Sequence, residues 1–325
     1  TSADGCTNNV ITPINVYPPP TINLSVQGDC AEEVFAFTNN SSIPIGSIDI
    51  INWEMGDGTP YASMSVNHIY ATANTYNVTL SMISDQGCPS DTAFQVVAFP
   101  NPVAAFNLTD ACLNDVNIFT DLSTINGSNI IGWEWDFGDF VGAEVIQDPS
   151  YTYGSTGQFS VTLIPTTLDG CTDTVTEIAN VYDLPVSAFQ FTDACLNTDF
   201  QFSDQSTIPS GAINNWNWDF GNLNQSNLQN PNHQYLADGS FDVTLIVSSG
   251  QLCADTSMQS ITVYPLPVAD FTTTDVCSGF DMQYTDNSAI SSGTIDTYQW
   301  YFGDGGLSNE TNSTHAYSVG DTYTA

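Results

Sequence analysis

The sequence predicts an all-β protein in which similar two-sheet sandwiches follow one another as a rod. The first observation is an internal repeat, because Trp53, Trp135, Trp218 and Trp300 lie 82, 83 and 82 residues apart. The second is a succession of short segments in which apolar and polar residues alternate, which is the period of a half-buried strand. The third is that no segment shows sustained helical periodicity. Together they are typical of one sandwich per repeat.

Two further motifs keep the same period as the tryptophans. The tryptophan motifs read NWEMGDG, WEWDFGD, WNWDFGN and YQWYFGDG. The motifs that end in tyrosine read NHIY, SYTY, NHQY and THAY. One cysteine series is Cys6, Cys88, Cys171 and Cys253, and the other is Cys30, Cys112, Cys195 and Cys277. Position within the repeat is therefore expected to decide what each side chain does.

The second repeat shows the predicted strands most clearly. They are strand A over 103–109, strand B over 116–122, strand C over 130–138, strand F over 159–167 and strand G over 171–182. In strand C, Trp133, Trp135 and Phe137 share one face, whereas Glu134 and Asp136 share the other. The inward tryptophans are therefore predicted to be core residues rather than platforms for stacking sugars.

The motifs in combination resemble those of the PKD domain along the whole chain. WDFGD is followed about ten residues later by HxY or YxY and then by G-x-F-x-V-T-L. The departures are Met55 for the aromatic residue, Asn222 for the aspartate and Tyr151 for the histidine. The resemblance implies Ig-like (PKD-type) sandwiches that serve as spacers or binding modules on cell surfaces and in secreted hydrolases. Arrays with such cysteines are most similar to giant cell-surface adhesins of Bacteroidota, including those of gliding motility.

The repeat and its proline-containing joints divide the chain into modules. Residues 1–17 are expected to be the last strand of a preceding module, 18–99, 100–182 and 183–264 complete modules, and 265–325 a truncated module. The joints read PPP, PNP, LP and PLP. Because proline holds extended backbone and shortens flexible reach, successive modules should touch.

The charge of the chain excludes several partners. It has 36 Asp and Glu residues and no Lys or Arg, so the formal net charge is −36. Nucleic acid is excluded because nothing can neutralise its phosphates, and an anionic membrane surface would repel the chain. No apolar run is long enough for a membrane-spanning helix, so no direct membrane insertion is expected. Resistance to trypsin-like proteases is the favoured interpretation of the missing cations, with compositional drift as the alternative.

The eight cysteines are expected to form disulfides in an oxidising, extracellular compartment. The series that begins with Cys30 lies in the turns between strands A and B, and the series that begins with Cys6 lies in the turns between strands F and G. These two turns are at opposite ends of a sandwich. Strand F has about seven residues and so separates these ends by roughly 23 Å, whereas a disulfide needs Cα atoms about 4.4–6.8 Å apart. We therefore expect bonds across joints, Cys30–Cys171 and Cys112–Cys253. Pairing within a module and free thiols are the alternatives, and the other four cysteines would pair outside this segment.

A metal or catalytic role has few candidates. Asp57, Asp139 and Asp304 lie in glycine-containing turns, where aspartate commonly accepts hydrogen bonds from backbone N–H groups. They are weak candidates for Ca²⁺, which binds clustered oxygens. His68, His233 and His315 share one repeat position and are expected to be structural. No GxSxG, HExxH or P-loop motif is present, so we expect no enzyme and no cofactor.

Three threonines are candidates for glycosylation. Thr92, Thr174 and Thr256 each follow an aspartate near the start of strand G, in the segments SDTA, TDTV and ADTS. Asp–Thr followed by a small or apolar residue resembles the O-glycosylation signal of Bacteroidota. The alternative is that these are ordinary strand threonines.

These observations predict a structural or adhesive stalk of an extracellular cell-surface protein. Its partners would be neighbouring modules of the same longer chain, and surface glycans or other cell-surface proteins. One alternative is a carbohydrate-binding or spacer region of a secreted hydrolase. The other is a subunit of a self-assembling filament or sheath, which would need exposed apolar patches that recur in each repeat.

Overall fold

The protein is all-β, as predicted. The structure is a computed structural model and describes residues 1–192 and 194–325. The chain divides into two compact units, Thr1–Val181 and Tyr182–Ala325. We number the modules predicted above as 1 (18–99), 2 (100–182), 3 (183–264) and 4 (265–325). The first unit contains module 1 and all but the last residue of module 2, and the second contains modules 3 and 4. Within the described part of the chain, no helix has the length and apolar character that crossing a membrane would require.

Module 1 is a sandwich of two antiparallel sheets. Its strands are β1 (Leu24–Gln27), β2 (Val34–Asn39), β3 (Ile48–Glu54), β4 (Pro60–Tyr61), β5 (Val66–Ile69), β6 (Asn74–Ser84) and β7 (Pro89–Ala98). One sheet has the order β1-β2-β5 and the other β4-β3-β6-β7. Strands A and B thus lie in one sheet and strands C, F and G in the other.

Module 2 repeats this arrangement with one addition. Its strands are β8 (Phe106–Leu108), β9 (Ala111–Cys112), β10 (Asn117–Asp121), β11 (Ile130–Asp136), β12 (Ala143–Glu144), β13 (Ser150–Tyr151), β14 (Gly157–Thr167) and β15 (Val175–Tyr182). The sheet orders are β13-β10-β8 and β12-β11-β14-β15-β9. The short strand β9 belongs to the A–B turn and lies beside strand G.

Module 3 has the strands β16 (Phe189–Phe191), β17 (Asp199–Asp204), β18 (Ile213–Asp219), β19 (Gln225–Ser226), β20 (Asn232–Gln234), β21 (Gly239–Ser249) and β22 (Ala254–Val263). Module 4 has β23 (Phe271–Thr273), β24 (Asp281–Asp286), β25 (Trp300–Tyr301), β26 (Leu307–Ser308) and β27 (Ser313–Ala316). Module 3 has the sheet orders β16-β17-β20 and β19-β18-β21-β22, and module 4 retains β23-β24-β27 and β25-β26.

Each module is built around the tryptophan of strand C. Trp53, Trp135 and Trp218 are fully buried, and Trp300 in the shorter module 4 nearly so. In module 2 the ring of Trp135 lies 5.0 Å from that of Phe106 and 5.8 Å from that of Phe119. Its indole N–H donates to the carbonyl oxygen of Ile146 at 2.9 Å. The ring therefore joins the two sheets while its polar atom stays hydrogen-bonded.

Residues 1–17 contain no strand and are exposed. Their assignment as the last strand of a preceding module stays a prediction.

Candidate functional site

The turn after strand C brings the tryptophan motif against strand F. In each module the first glycine of this turn follows Met55 or the equivalent phenylalanine. These glycines all have positive φ: Gly56 (84°), Gly138 (76°), Gly221 (75°) and Gly303 (80°) in modules 1 to 4. A Cβ at Gly56 would lie 2.6 Å from the carbonyl oxygen of Asn77, and one at Gly138 would lie 2.5 Å from that of Ser160. The motif requires glycine here for both its backbone conformation and its close contact.

The aspartate after this glycine holds the turn with one of its oxygens. Oδ1 of Asp57 accepts from the backbone N–H of Thr59 at 2.9 Å. Oδ1 of Asp304 accepts from that of Gly306 at 2.9 Å. In module 2, Oδ1 of Asp139 accepts from the two successive amides of Val141 and Gly142. These contacts are the turn role that the sequence favours for the three aspartates.

The second oxygen of each aspartate contacts the motif that ends in tyrosine. Oδ2 of Asp57 lies 2.9 Å from Nε2 of His68, and Oδ2 of Asp304 lies 2.7 Å from Nε2 of His315. In module 2 the hydroxyl of Tyr151 donates to Oδ2 of Asp139 at 2.6 Å. In module 3 the amide of Asn222 lies 3.0 Å from Nε2 of His233. The departures Tyr151 and Asn222 thus keep the same contact with different chemistry.

The buried tyrosine that ends the second motif is hydrogen-bonded to the backbone of the tryptophan motif. The hydroxyls of Tyr70, Tyr153, Tyr235 and Tyr317 donate at 2.7–3.0 Å to the carbonyl oxygens of Met55, Phe137, Phe220 and Phe302. Burial is the main cause that raises the pKa of all four tyrosines. They remain neutral donors at physiological pH and act structurally.

Ionisation of this cluster is shifted by its hydrogen bonds. Burial alone would raise the pKa of Asp139, but hydrogen bonds from Tyr151, Gly142 and Val141 hold it below its ordinary value of 3.8. The hydrogen bond to Asp139, together with burial, raises the pKa of Tyr151 from 10.0 to about 12. In module 3, burial lowers the pKa of His233, which faces an uncharged asparagine.

Replacing Tyr151 with phenylalanine is expected to lower the free energy of unfolding of module 2 by about 1 kcal/mol at pH 7, because Asp139 loses a donor. The raised pKa of Tyr151 stabilises the fold below pH 10 and stops doing so as the pH rises through about 12. The variant should therefore lose the part of the alkaline destabilisation of module 2 that Tyr151 causes, while the part due to Tyr153 remains. Urea unfolding followed by tryptophan fluorescence at a series of pH values from 7 to 12 tests this.

Tyr151→His is the matched control, since histidine occupies this position in the other three modules. It should retain the contact with Asp139 and most of the stability. Equal losses in the two variants would show that the contact with Asp139 contributes little.

The three aspartates do not combine into one metal site. Each lies in the turn of a different module and already has both oxygens hydrogen-bonded. In the part of the chain that the structure describes, no group of three or more His, Cys, Asp or Glu residues is arranged to hold a metal ion. Calcium binding therefore stays a prediction, and a melting temperature that EDTA leaves unchanged would reject it.

A second recurrent contact was not anticipated from the sequence. The indole N–H of Trp133 donates to Oδ2 of Asp121 at 2.7 Å, and that of Trp216 donates to Oδ2 of Asp204 at 2.8 Å. Each pair links strand C of one sheet to the end of strand B of the other. The recurrence of Asp121 and Asp204 two residues before Ser123 and Ser206 was the available signal. These half-buried tryptophans thus have a structural role.

The joint between modules 1 and 2, inside the first unit, carries a disulfide. Cys30 is bonded to Cys171 with an S–S distance of 2.07 Å and a Cα–Cα distance of 5.7 Å. This is the pair that the sequence favours, between the A–B turn of one module and the F–G turn of the next. Both cysteines are buried. The bond joins residues that are 141 positions apart in the chain.

Local contacts hold each cysteine in place. The A–B turn of module 1 lies along the end of its own strand G, because the N–H of Ala31 donates to the carbonyl of Phe99 and that of Phe99 to the carbonyl of Asp29, each at 2.8 Å. The amide of Asn101, in the joint, donates to the carbonyl of Ala31 at 2.8 Å. On the other side, the N–H of Cys171 donates to Oγ1 of Thr167 at 3.0 Å. The disulfide therefore connects two turns that are each held by local hydrogen bonds.

The remaining cysteines leave predictions to test. Cys112 and Cys253 lie in different compact units, and their pairing stays a prediction. Cys6, Cys88, Cys195 and Cys277 form no disulfide among the described residues. Cys195 makes the same parallel bridge to Tyr264 that Cys30 makes to Phe99. The A–B turn of module 3 thus repeats the backbone setting of the bonded cysteine.

The aspartates of the Asp–Thr segments have structural contacts of their own. Oδ2 of Asp173 accepts from the backbone N–H of Ala104 at 2.9 Å. Oδ2 of Asp255 accepts from that of Ser187 at 2.8 Å. Each contact ties the start of strand A to strand G in its module. The recurrence of aspartate in this segment therefore has a cause that does not involve glycosylation.

The threonines themselves differ in accessibility, and glycosylation of them stays a prediction. Thr174 and Thr256 are exposed, whereas Thr92 is half-buried in β7. If the host modifies this motif, Thr174 and Thr256 should carry more glycan than Thr92. Mass spectrometry of peptides from the natively secreted protein measures this, and unmodified peptides at all three sites would reject the prediction.

The chain is similar to known PKD domains in sequence. A sequence profile of the PKD domain matches residues 17–99, 100–181 and 184–263. The solved PKD1 domain of Vibrio anguillarum Epp is 21% identical over 26% of this chain and 99% of its own, with a TM-score of 0.25. The PKD1 domain of the Vibrio cholerae metalloprotease PrtV is 32% identical over 25% of this chain and 96% of its own, with a TM-score of 0.24.

A longer solved structure is also similar. The three N-terminal domains of the outer capsid protein Hoc of bacteriophage RB49 are 11% identical over 76% of this chain and all of their own, with a TM-score of 0.38. The three segments that the PKD profile matches follow one another and make up most of the sequence. The chain therefore belongs to the PKD domain family, of which it contains three tandem members.

Proposed function

We propose that this chain is a section of an extracellular, cell-surface stalk that is held under tension and presents adhesive surfaces. The observation that carries the proposal is the disulfide between modules 1 and 2. A spacer needs no covalent bond between neighbouring modules, because the peptide chain already connects them. A section under tension gains from a second covalent connection that prevents the modules from unravelling.

Other features support an extracellular setting under this proposal. Disulfides form and persist in oxidising compartments. A chain without Lys or Arg presents no cleavage site for trypsin-like proteases that act outside cells. The similarity to the cysteine-bearing arrays of Bacteroidota surface adhesins, including those of gliding motility, gives the proposal its most specific form. Its partners would then be neighbouring modules of the longer chain and glycans or proteins of an opposing surface.

Pulling the chain from its two ends tests the mechanical role. With the disulfide intact, residues between Cys30 and Cys171 should not extend, because the force passes through the sulfur atoms. Reduction should release a segment of 141 residues, which at about 3.4 Å per residue adds roughly 480 Å of length. Single-molecule force spectroscopy with and without reductant measures this, and identical extension would remove the main support for the stalk.

The cell-level role needs a separate experiment. Deleting the gene should reduce attachment of the host to a surface under flow and leave its secreted hydrolase activities unchanged. The opposite result would favour the alternative in which the array is a carbohydrate-binding or spacer region of a secreted hydrolase.

The filament or sheath alternative has one observation in its favour. Val103, Val186 and Val268 are exposed at one repeat position in modules 2, 3 and 4. Thr21 takes this position in module 1, so the recurrence is incomplete. Electron microscopy of the native object separates lone fibres, which the stalk predicts, from ordered tubes.

A further inference from the structure

Two large apolar side chains project entirely into solvent from the turn after strand C. Phe140 in module 2 is 103% exposed and Leu223 in module 3 is 99% exposed, relative to an extended chain. Each immediately follows the residue that holds its turn, Asp139 or Asn222. Neither side chain stabilises its module through packing.

The backbone at both positions is one that favours glycine. Phe140 has φ of 64° and Leu223 has φ of 74°. The equivalent residues of modules 1 and 4 are Gly58 and Gly305, with φ of 92° and 95°. A Cβ at either glycine would meet nothing within 4 Å. Modules 1 and 4 thus have the residue that this backbone favours. In modules 2 and 3 a residue with a large side chain takes the same conformation, which lowers the stability of the folded module.

A neighbouring residue extends the apolar surface in module 2, where Val141 is exposed directly after Phe140 in the same turn. Exposed apolar side chains that cluster mark surfaces that contact something outside the molecule. In module 3, Leu223 is the exposed apolar residue of the turn. An apolar residue in a strained conformation, without contacts to offset the strain, indicates the same.

The differences between the two turns restrict the kind of partner. Phe140 is flat and aromatic and follows Asp139 in the chain, whereas Leu223 is branched and lies between Asn222 and Asn224. A pocket shaped for one would not accept the other. What the turns share is apolar area alone, and a chain with 36 acidic residues and no Lys or Arg is repelled by negative surfaces.

We propose that the turns after strand C in modules 2 and 3 are adhesive tips that bind an extended apolar surface without negative charge. This proposal rests on the adhesive stalk function and names its contact residues, Phe140 and Leu223, and the class of surface they contact. Each turn is argued within its own module, so each should bind by itself.

Adsorption to defined surfaces tests the tips. The 325-residue chain and the variant Phe140→Gly/Leu223→Gly would be applied to methyl-terminated and carboxylate-terminated alkanethiol monolayers on a quartz crystal microbalance. On the methyl surface the variant should need a roughly tenfold or more higher concentration for half-saturation, and each single variant should show part of this shift. Because glycine suits this backbone, the urea midpoint of the double variant should be unchanged or higher.

The matched control removes apolar side chains from elsewhere on the surface. Val103→Thr/Val186→Thr takes away two exposed valines and introduces the residue that module 1 has at this position, so its adsorption should equal that of the wild type. Equal weakening in the control and the glycine variant would overturn the proposal, as would equal binding of the wild type to the methyl and carboxylate surfaces. Binding to phosphatidylcholine vesicles that depends on Phe140 and Leu223 would assign the tips to lipid instead. None of these results changes the extension measured by pulling, so failure of the tips and failure of the stalk are distinguishable.

Discussion

Replacing Cys30 with alanine is expected to lower the free energy of unfolding of the first unit by about 5 kcal/mol. The disulfide closes a segment of 141 residues, and the chain-entropy relation gives about this value for a loop of that length. Modules 1 and 2 should also unfold in one transition when bonded and in two when the bond is absent. Urea unfolding followed by hydrogen exchange of module 1 and module 2 peptides measures both effects.

Cys195→Ala provides the matched control for this experiment. Cys195 occupies the same position in module 3 and has the same bridge to the end of its strand G, yet it is an exposed free thiol. Replacing Cys195 should leave the free energy of unfolding of the first unit unchanged. Reduction of the Cys195→Ala variant should then lower that free energy by as much as Cys30→Ala does. If both alanine variants lost the same amount without reductant, the loss would come from the turn itself and not from the bond.

Gly56→Ala is expected to destabilise module 1 by about 3 kcal/mol or more. A left-handed backbone costs a residue with a Cβ about 1–2 kcal/mol, and overpacking adds about 1–3 kcal/mol. The added Cβ would lie 2.6 Å from the carbonyl oxygen and 2.8 Å from the nitrogen of Asn77, so strand F itself would have to move. Urea unfolding of module 1, resolved by hydrogen exchange, measures the loss.

Gly58→Ala separates the two causes, because it lies in the same turn. Gly58 also has positive φ, but a Cβ there meets nothing within 4 Å. Its replacement should cost only the conformational part, about 1–2 kcal/mol. Equal losses at Gly56 and Gly58 would mean that the contact with strand F adds no strain.

The fold was predictable because its signals are periodic. The burial of Trp53, Trp135 and Trp218 follows from alternation within strand C and recurrence between repeats. The pairing of Cys30 with Cys171 was favoured because the length of strand F separates the two ends of a sandwich. Both inferences need only position along a strand and position within a repeat, which a sequence displays directly.

The contacts within the turns were not predictable in the same way. Asp57 and His68 lie on different segments, and their contact depends on how the turn after strand C folds back toward β5. The hydrogen bond from the N–H of Ala104 to Oδ2 of Asp173 likewise requires the starts of strands A and G of one module to lie close together. Such contacts depend on side-chain direction across sheets, for which a single sequence has no periodic signal. The positive φ of Phe140 was not predictable from its own residue type. The one signal in the sequence is that a glycine, Gly58, occupies the equivalent position in module 1.

The position of Cys30 against the end of its own strand G also orders the events of maturation. Cys6, Cys88 and Cys112 all lie closer to Cys30 along the chain than Cys171 does, so an unfolded chain offers Cys30 several nearer thiols. Module 1 holds Cys30 against Phe99 only after its last strand is in place. We therefore expect the bond to Cys171 to form after strand G of module 1 has joined its sheet.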